Sequence, residues 1–138
     1  MARERFLRSL RLLAETYQAF ERLSDRHVRE LGLTPAQFDI VATLGNTDGM
    51  PFRELGERTL ITKGTLTGVV DRLEARGLMT RSSKPEDRRV RLLHVTPEGR
   101  ALLEAAEPAV LRAQQRMLDP LPPTQRAQFM ALLATVVD

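Results

Sequence analysis

The sequence predicts a mainly α-helical fold with one small β-hairpin, arranged as a winged helix-turn-helix with N- and C-terminal dimerisation helices. Residues 52–99 carry two short helical patterns and then two strand patterns around a charged turn, which is the order of a helix-turn-helix and its wing. Long stretches on both sides place apolar residues at helical spacing. Aromatic residues are few, with five Phe, one Tyr and no Trp, so the core must consist mainly of Leu, Val, Ala and Met, which favours helix packing.

The first two helices have clear starts and ends. Apolar residues at alternating spacings of four and three predict a long amphipathic helix from Phe6 to Leu31, closed by Gly32. The run Thr34–Gln37 then supplies an N-cap, a proline at the first helical position and a glutamine able to complete a capping box. These signals predict a second helix from Pro35 to Leu44.

Turn formers and breaks in the apolar pattern mark the remaining elements. Residues 45–51 are dense in turn formers, Gly77 is a candidate helix stop, and the charged loop Lys84–Arg89 separates two short, partly β-branched runs. A cap-then-proline signal recurs at Thr96, and Pro108 is expected to bend the helix that follows. The predicted elements are helices over 52–59 and 62–76, strands over 78–82 and 90–95, a helix that opens at residue 97, and, after a break at 120–123, a last helix over 124–137.

The terminal helices have apolar faces that need to be buried. Residues 1–33 and 97–138 carry wide apolar faces, and the winged helix-turn-helix part between them, residues 34–96, is too small to cover them all. The economical arrangement packs these helices against one another and against those of a second copy. We therefore expect a single domain over residues 1–138 that forms a homodimer. The alternative is that the terminal helices fold back onto the winged part of the same chain.

Positive charge is concentrated on the winged part. The whole chain has a formal net charge of +3, yet residues 53–91 alone hold ten Lys/Arg against six Asp/Glu. A basic stretch on a winged helix-turn-helix is typical of a surface that meets the phosphates of DNA. Double-stranded DNA is therefore the expected partner.

The composition argues against several other kinds of site. The chain has no Cys, which removes disulfides and thiol nucleophiles, and its two histidines, His27 and His94, are too far apart in sequence to suggest a zinc site. No phosphate-binding loop or nucleophile–base spacing occurs, so neither an enzyme nor a cofactor is expected. The N-terminal segment lacks the apolar core of a signal peptide and no run reaches the length of a membrane span, so we expect a cytoplasmic protein.

The helix predicted over 62–76 has the features of one that reads the major groove. Its inward stripe consists of Leu66, Val69, Val70 and Leu73. Gly64 and Gly68 allow the helix to approach base edges closely, although each glycine costs a helix interior about 1 kcal/mol relative to alanine. The candidate major-groove residues are Thr62, Lys63, Gly64, Thr65, Thr67, Gly68 and Arg72. The alternative for each is a solvated helix face.

The charged hairpin loop is the second candidate contact. Its candidate residues are Lys84, Asp87, Arg88 and Arg89. An arginine that enters the narrow minor groove meets a concentrated negative potential, and an ion pair with Asp87 would hold the guanidinium of Arg89 in place. The alternative is a solvated charged turn that protects the sheet edge from aggregation.

Together these residues resemble a known family. The run RGLMTRSSKPEDRRVRLLHVTPEG, preceded by GTLTGVVDRLE, is similar to the MarR (multiple antibiotic resistance regulator) family of bacterial transcription factors. The resemblance rests on a helix ending in LE-x-x-GL, a wing with D-x-R and a helix start of the form hydrophobic-Thr-x-x-Gly. It extends over nearly the whole chain, because the long first helix and the two closing helices also match the family's dimerisation elements.

The resemblance implies a repressor that binds palindromic DNA as a homodimer and is released by a small, often aromatic or phenolic, ligand. It assigns wing contacts to Asp87 and Arg89 and recognition-helix contacts to residues 62–65, 67 and 68. The peroxide-sensing branch that GTLT resembles uses a cysteine, and the urate-responsive branch uses a tryptophan; both residue types are missing here. Peroxide sensing through a cysteine is therefore excluded.

A ligand regulates DNA binding only if its affinity differs between the DNA-compatible and DNA-incompatible dimers. The pocket is therefore expected where the first, second and fifth helices meet. Its candidate lining residues are Tyr17, Phe20, His27 and Phe38. In a chain with so few aromatic residues, the alternative is that these side chains are plain core. Two other functions fit the same fold, namely a winged module for protein contacts and an architectural DNA binder without a ligand response.

Overall fold

The computed structural model describes the backbone of residues 2–137 and the side chains from Arg3 onward. Within this range the chain is mostly helical and carries a small three-stranded antiparallel sheet. The elements are α1 (Ala2–Glu30), α2 (Pro35–Gly45), β1 (Met50–Pro51), α3 (Phe52–Arg58), α4 (Lys63–Ala75), β2 (Met79–Lys84), β3 (Asp87–Val95), α5 (Pro97–Leu118) and α6 (Pro123–Val137). The predicted fold class is confirmed, since every predicted helix and strand is present.

The chain forms two compact units. The winged unit is Asp25–Pro108, and the terminal unit consists of residues 1–24 and 109–138. The winged unit extends beyond the predicted winged part, residues 34–96, because the end of α1 and the start of α5 contribute buried side chains to it, among them Val28 and Leu103. Helix α5 continues through Pro108, where the division between the units falls. The bend expected at this proline stays a prediction.

The core of the winged unit forms where α2, α3 and α4 pack together and against the sheet. The inward stripe predicted for α4 is confirmed, because all four of its residues are buried. The largest side chains that are almost completely buried are Ile40, Val41, Leu44, Leu55, Leu66, Val70, Leu73 and Met79. Removing so much apolar surface from water fixes the orientation of α4 about its own axis.

The signals for helix ends are confirmed at the level of single hydrogen bonds. In the capping box of α2, Thr34 Oγ1 accepts from the amide of Gln37 at 3.1 Å, and Gln37 Oε1 accepts from the amide of Thr34 at 3.0 Å. Gly77 follows α4 with a φ of +73°, a left-handed conformation that favours glycine, and the amide of Leu78 turns back to the carbonyl of Leu73. The reversal after Gly77 sends the chain directly into the hairpin.

The sheet differs from the prediction in two places. Its strand order is β1-β3-β2, and the two-residue strand β1 lies in a segment whose sequence predicts only a turn. This prediction missed β1 because the strand is formed by its pairing with β3, Met50 opposite Leu93, and not by local propensity. The predicted loop Lys84–Arg89 is also wrong in extent: the turn is only Pro85–Glu86, and β3 begins at Asp87.

The terminal unit exposes many large apolar side chains. Phe6 of α1 is 69% exposed and Val136 of α6 is 79% exposed. Along its length, residues 123–137, helix α6 contains no buried residue. Side chains of α1, α5 and α6 line a cleft of about 930 Å³ within this unit. Of the helices in residues 2–137, none combines the length and hydropathy that crossing a membrane requires.

Candidate nucleic-acid interface

Helix α4 presents its polar residues on the side opposite the buried stripe. Thr62, at the N-cap, is exposed, as are Lys63, Gly64, Thr65, Thr67 and Arg72, while Gly68 is half-buried. All seven residues that the sequence singled out therefore lie outside the core. Because the buried stripe fixes the rotation of α4, the same burial fixes which way this polar face points.

The beginning of α4 is built differently from that of α2. Thr62 has the extended backbone of an N-cap, with a ψ of 148°, but its side chain makes no cap hydrogen bond. Its hydroxyl instead shares a 3.0 Å hydrogen bond with the hydroxyl of Thr65. A helix N-terminus without a side-chain cap, flanked by two hydroxyls and the ammonium of Lys63, suits a phosphate oxygen.

The two glycines of α4 have no structural cause within the protomer. A Cβ added at Gly64 or Gly68 would meet no atom within 4 Å, and neither residue has a positive φ. At Gly99, by contrast, a Cβ would overlap the carbonyl oxygen of Leu78, so packing requires glycine there. The remaining explanation for Gly64 and Gly68 is that the absence of a side chain allows another molecule to approach the helix backbone.

A carboxylate of α2 fixes the turn that precedes α4. Asp39 Oδ2 accepts a hydrogen bond from the amide of Leu60 at 3.1 Å. The buried Thr59 closes the preceding helix by donating its hydroxyl to the carbonyl of Leu55 at 2.9 Å. Sequence reasoning missed Asp39, because its partner is a main-chain amide 21 residues away and no side-chain motif marks that contact.

Arg76 anchors the C-terminal end of α4 through hydrogen bonds. Arg76 Nη1 donates to the carbonyl of Gly32 at 2.7 Å and lies 3.3 Å from Gln37 Oε1. The same glutamine oxygen completes the capping box of α2. Both ends of α4 are therefore tied to α2 or to the loop before it. Arg76 was also missed, since nothing in its sequence neighbourhood separates it from the surface arginines.

The wing presents exposed charged side chains. The side chain of Arg89 is 96% exposed, and Lys84, Asp87 and Arg88 are exposed as well. Asp87 Oδ1 accepts from the main-chain amide of Arg89 at 3.0 Å, whereas the guanidinium Nε lies 3.8 Å away. The predicted ion pair is therefore present at a long distance, and the same carboxylate also shapes the backbone at the start of β3.

A second arginine, Arg81, joins the hairpin to α4. Its Nη2 atom lies 2.6 Å from Asp71 Oδ1, and its Nε atom lies 3.3 Å from Glu74 Oε2. The sequence alone suggests no partner for Asp71. Arg81 and its two partners are separated by the end of α4 and a chain reversal, so no helical or strand spacing in the sequence indicates that they are in contact.

The four residues predicted to line a ligand pocket fall into different units. Tyr17 and Phe20 line the cleft of the terminal unit, together with apolar residues such as Leu118 and Phe129. His27 and Phe38 belong to the winged unit, are half-buried and do not line this cleft. Among the described residues, no group of three His, Cys, Asp or Glu side chains could hold a metal ion.

Comparison with known proteins points to DNA binding as well. Residues 33–90 match the model of the MarR family. The HTH-type transcriptional regulator MhqR of Bacillus subtilis (strain 168) is 31% identical over 100 residues, which are 72% of this chain and 69% of that protein. The family match includes α2, α3, α4 and β2 and ends within β3.

Two solved structures extend the similarity over almost the whole chain. BpsR of Bordetella bronchiseptica, whose DNA binding is regulated by 6-hydroxynicotinic acid, superposes with a TM-score of 0.83 at 32% identity, over 93% of this chain and 91% of that one. A mutant MarR from E. coli, solved in complex with operator DNA, has a TM-score of 0.83 at 27% identity, over 93% and 92% of the two chains. The terminal helices are therefore part of the shared architecture.

Replacing Gly68 with alanine should change stability and DNA affinity in opposite directions. We expect Gly68→Ala to raise the free energy of unfolding by about 0.5–1 kcal/mol, because alanine is the better helix former and meets no clash. The same change should weaken DNA binding by about 1–3 kcal/mol, because in a major-groove complex the added methyl group would lie between the helix and the duplex. Thermal unfolding and DNA titration on the same samples measure both quantities.

Ala75→Gly at the far end of α4 is the matched control for this substitution. It should lower stability by up to about 1 kcal/mol and leave DNA affinity unaltered. If Gly68→Ala bound DNA as tightly as the unmodified protein, close approach at this position would be ruled out.

Proposed function

Because the chain belongs to the MarR family of DNA-binding transcriptional regulators, we propose that it is a repressor that binds a palindromic operator as a homodimer and is released by a small aromatic ligand. One observation carries the proposal: α4 keeps a polar outer face with two glycines that packing does not require, in the same compact unit as the exposed arginines of the wing. A helix and a hairpin presented in this way suit the two grooves of a duplex.

In the proposed complex, the two α4 helices of a dimer enter successive major grooves about 34 Å apart, one helical turn of the duplex. The hydroxyls of Thr62 and Thr65 bind phosphates, the methyl of Thr67 contacts a thymine, and Lys63 or Arg72 reaches guanine or the backbone. Each wing lies in a flanking minor groove, where the guanidinium of Arg89 meets the concentrated negative potential. Lys84 and Arg88 add contacts to the backbone.

The proposal of a homodimer is supported by the exposed apolar surface of the terminal unit. Large side chains of α1 and α6, among them Phe6, Leu10 and Val136, are more than half exposed in the single protomer. Exposed apolar side chains in this number are unfavourable in water and are characteristic of an interface. A second copy of the same unit is the simplest partner for this surface, because an isologous contact buries the apolar faces of both copies at once.

The proposal of a ligand rests on the similarity to BpsR, whose regulator is a hydroxylated aromatic acid. The cleft of the terminal unit has the size and the largely apolar lining of a small-molecule site, with Tyr17 and Phe20 in its wall. A hydroxylated aromatic ring would pack on the apolar wall, and the amides of Gln114 and Gln115 are available for its polar groups. Release of DNA follows if the ligand binds the DNA-incompatible dimer more tightly.

The architectural alternative keeps the fold and the basic surface but has no sequence selectivity. It is distinguished by comparing the affinity for a palindrome with that for random DNA of the same length. Equal affinities at the same salt concentration would favour the architectural binder.

Removing the wing guanidinium should weaken operator binding. We expect Arg89→Ala to lower the affinity for a palindrome from the protein's own promoter region about tenfold and to flatten the slope of log affinity against log salt by about one unit. Arg26→Ala, which removes another exposed arginine, this one from α1, is the control and should alter neither. Unchanged affinity and unchanged slope for Arg89→Ala would refute the wing assignment.

Charging the apolar surface of α1 should separate the dimer. We expect Phe6→Glu with Leu10→Glu to yield a folded monomer in sedimentation equilibrium at micromolar concentration, because both side chains are exposed in the protomer and would be buried between copies in the proposed dimer. Leu60→Glu, at a residue that is 76% exposed in the winged unit, should remain a dimer. A dimer that persists in the Phe6 and Leu10 variant would exclude this face of α1 from the interface.

A hydroxylated aromatic acid should release the protein from its operator. We expect at least one compound of a series that includes 6-hydroxynicotinic acid to lower the affinity for the palindrome. Phe20→Ala should raise the ligand concentration that releases half of the bound DNA, when the DNA binding of each protein is normalised to its own affinity without ligand. Calorimetric titration of the free protein measures the binding directly. Binding without any effect on DNA affinity would contradict regulation by this class of compound.

A further inference from the structure

Arg81 occupies an unusual place on the hairpin. Paired residues of antiparallel strands project from the same face of the sheet, and Arg81 lies opposite Leu93, which is buried in the core. Two residues before it, the buried Met79 lies on the same face, since strand side chains alternate. Arg81 therefore continues the core-facing row of β2 at the point where the hairpin leaves the core.

At this position the guanidinium replaces apolar packing as the link to α4. Its side chain is only 30% exposed, and its Nε atom is buried without a hydrogen bond, 3.3 Å from Glu74 Oε2. Its Nη2 atom donates to Asp71 Oδ1 at 2.6 Å. One planar side chain thus holds two carboxylates one helical turn apart on α4, which a lysine ammonium cannot do with the same geometry.

Beyond Arg81 the hairpin has little else to hold it. Residues 82–89 are all exposed, so the distal half of the wing has no core contact of its own. At about 3.3 Å per residue, the Pro85–Glu86 turn lies about 15 Å beyond Arg81. A rotation of about 15° at Arg81 would move the tip by about 4 Å, a large part of the roughly 6 Å width of the minor groove.

We propose that Arg81 is a positioning residue for DNA binding: by bridging Asp71 and Glu74, it fixes the angle between the recognition helix and the wing. Arg81 itself contacts no base or phosphate in this proposal. It allows Arg89 to reach the minor groove while α4 lies in the major groove. The inference rests on the proposed function, because it requires both elements to contact one operator at the same time.

A purely structural role for the ion pairs predicts a different result. Partial unfolding of an Arg81 variant would reduce the active fraction of protein and would scale all affinities equally. Loss of wing positioning, in contrast, removes the contribution of Arg89 specifically. The distinguishing readout is the factor by which Arg89→Ala lowers palindrome affinity, measured separately in each background.

The experiment measures this factor in four backgrounds: unmodified, Arg81→Ala, Arg81→Lys, and Asp71→Asn combined with Glu74→Gln. We expect Arg89→Ala to cost about tenfold in the unmodified protein and about twofold or less in the Arg81→Ala protein. The lysine background should give an intermediate factor, because it keeps the charge but not the bridge. As a control outside these four, the Arg26→Ala background removes an exposed ion pair within one helix and should leave the factor at its unmodified value.

The carboxylate variant provides the sharpest contrast. Removing two negative charges from α4 strengthens attraction to DNA by electrostatics alone, yet the proposal predicts that the contribution of Arg89 falls, as in the Arg81→Ala background. This variant also keeps Arg81 in place, so it remains informative if Arg81→Ala fails to fold.

Two outcomes would overturn the inference in distinguishable ways. A tenfold cost of Arg89→Ala in every background would overturn the positioning role alone and leave the operator-binding proposal intact. Equal binding of palindromic and random DNA by the unmodified protein would overturn the operator-binding proposal and the positioning role together.

Discussion

The burial of one face of α4 is the constraint on which the rest of the winged unit depends. Leu66, Val70 and Leu73 are removed from water, and this fixes the rotation of the helix. The polar face does not pack against the core, so it is available to contact a partner. Both ends of the helix are secured separately, by the contact of Asp39 before it and by Arg76 after it. A shallow, glycine-bearing face on a rigid helix is suited to reading base edges.

The winged unit meets DNA, in the proposed complex, through two elements with different kinds of support. Helix α4 is held by apolar packing, whereas the distal hairpin is exposed and is tied to α4 through Arg81. Ion pairs at the protein surface, with partly exposed carboxylates as here, add little to global stability, typically below about 1 kcal/mol. Their value here is geometric, because a small rotation at the base of a hairpin becomes a large displacement at its tip. The spacing of two such units would in turn be set by the helices that join two copies.

The sequence predicted the features that depend on local physics. The capping box at Thr34, the left-handed Gly77 and the buried stripe of α4 follow from neighbouring residues, and all were found as expected. Strand β1 was missed because it exists through pairing with a distant strand. Arg81 was missed for a related reason: its partners lie across a helix end and a chain reversal, where no periodicity connects them. The outward glycines were noticed in sequence, but the structure was needed to exclude an internal cause.

The central claim is that α4 and the wing read different grooves of one palindromic site. Methylation interference tests it directly, because dimethyl sulfate modifies guanine N7 in the major groove and adenine N3 in the minor groove. We expect guanine interference at two positions about one helical turn apart and adenine interference flanking them, with the adenine signal lost in Arg89→Ala. Interference confined to guanine N7, with no flanking adenine signal in the unmodified protein, would contradict the claim.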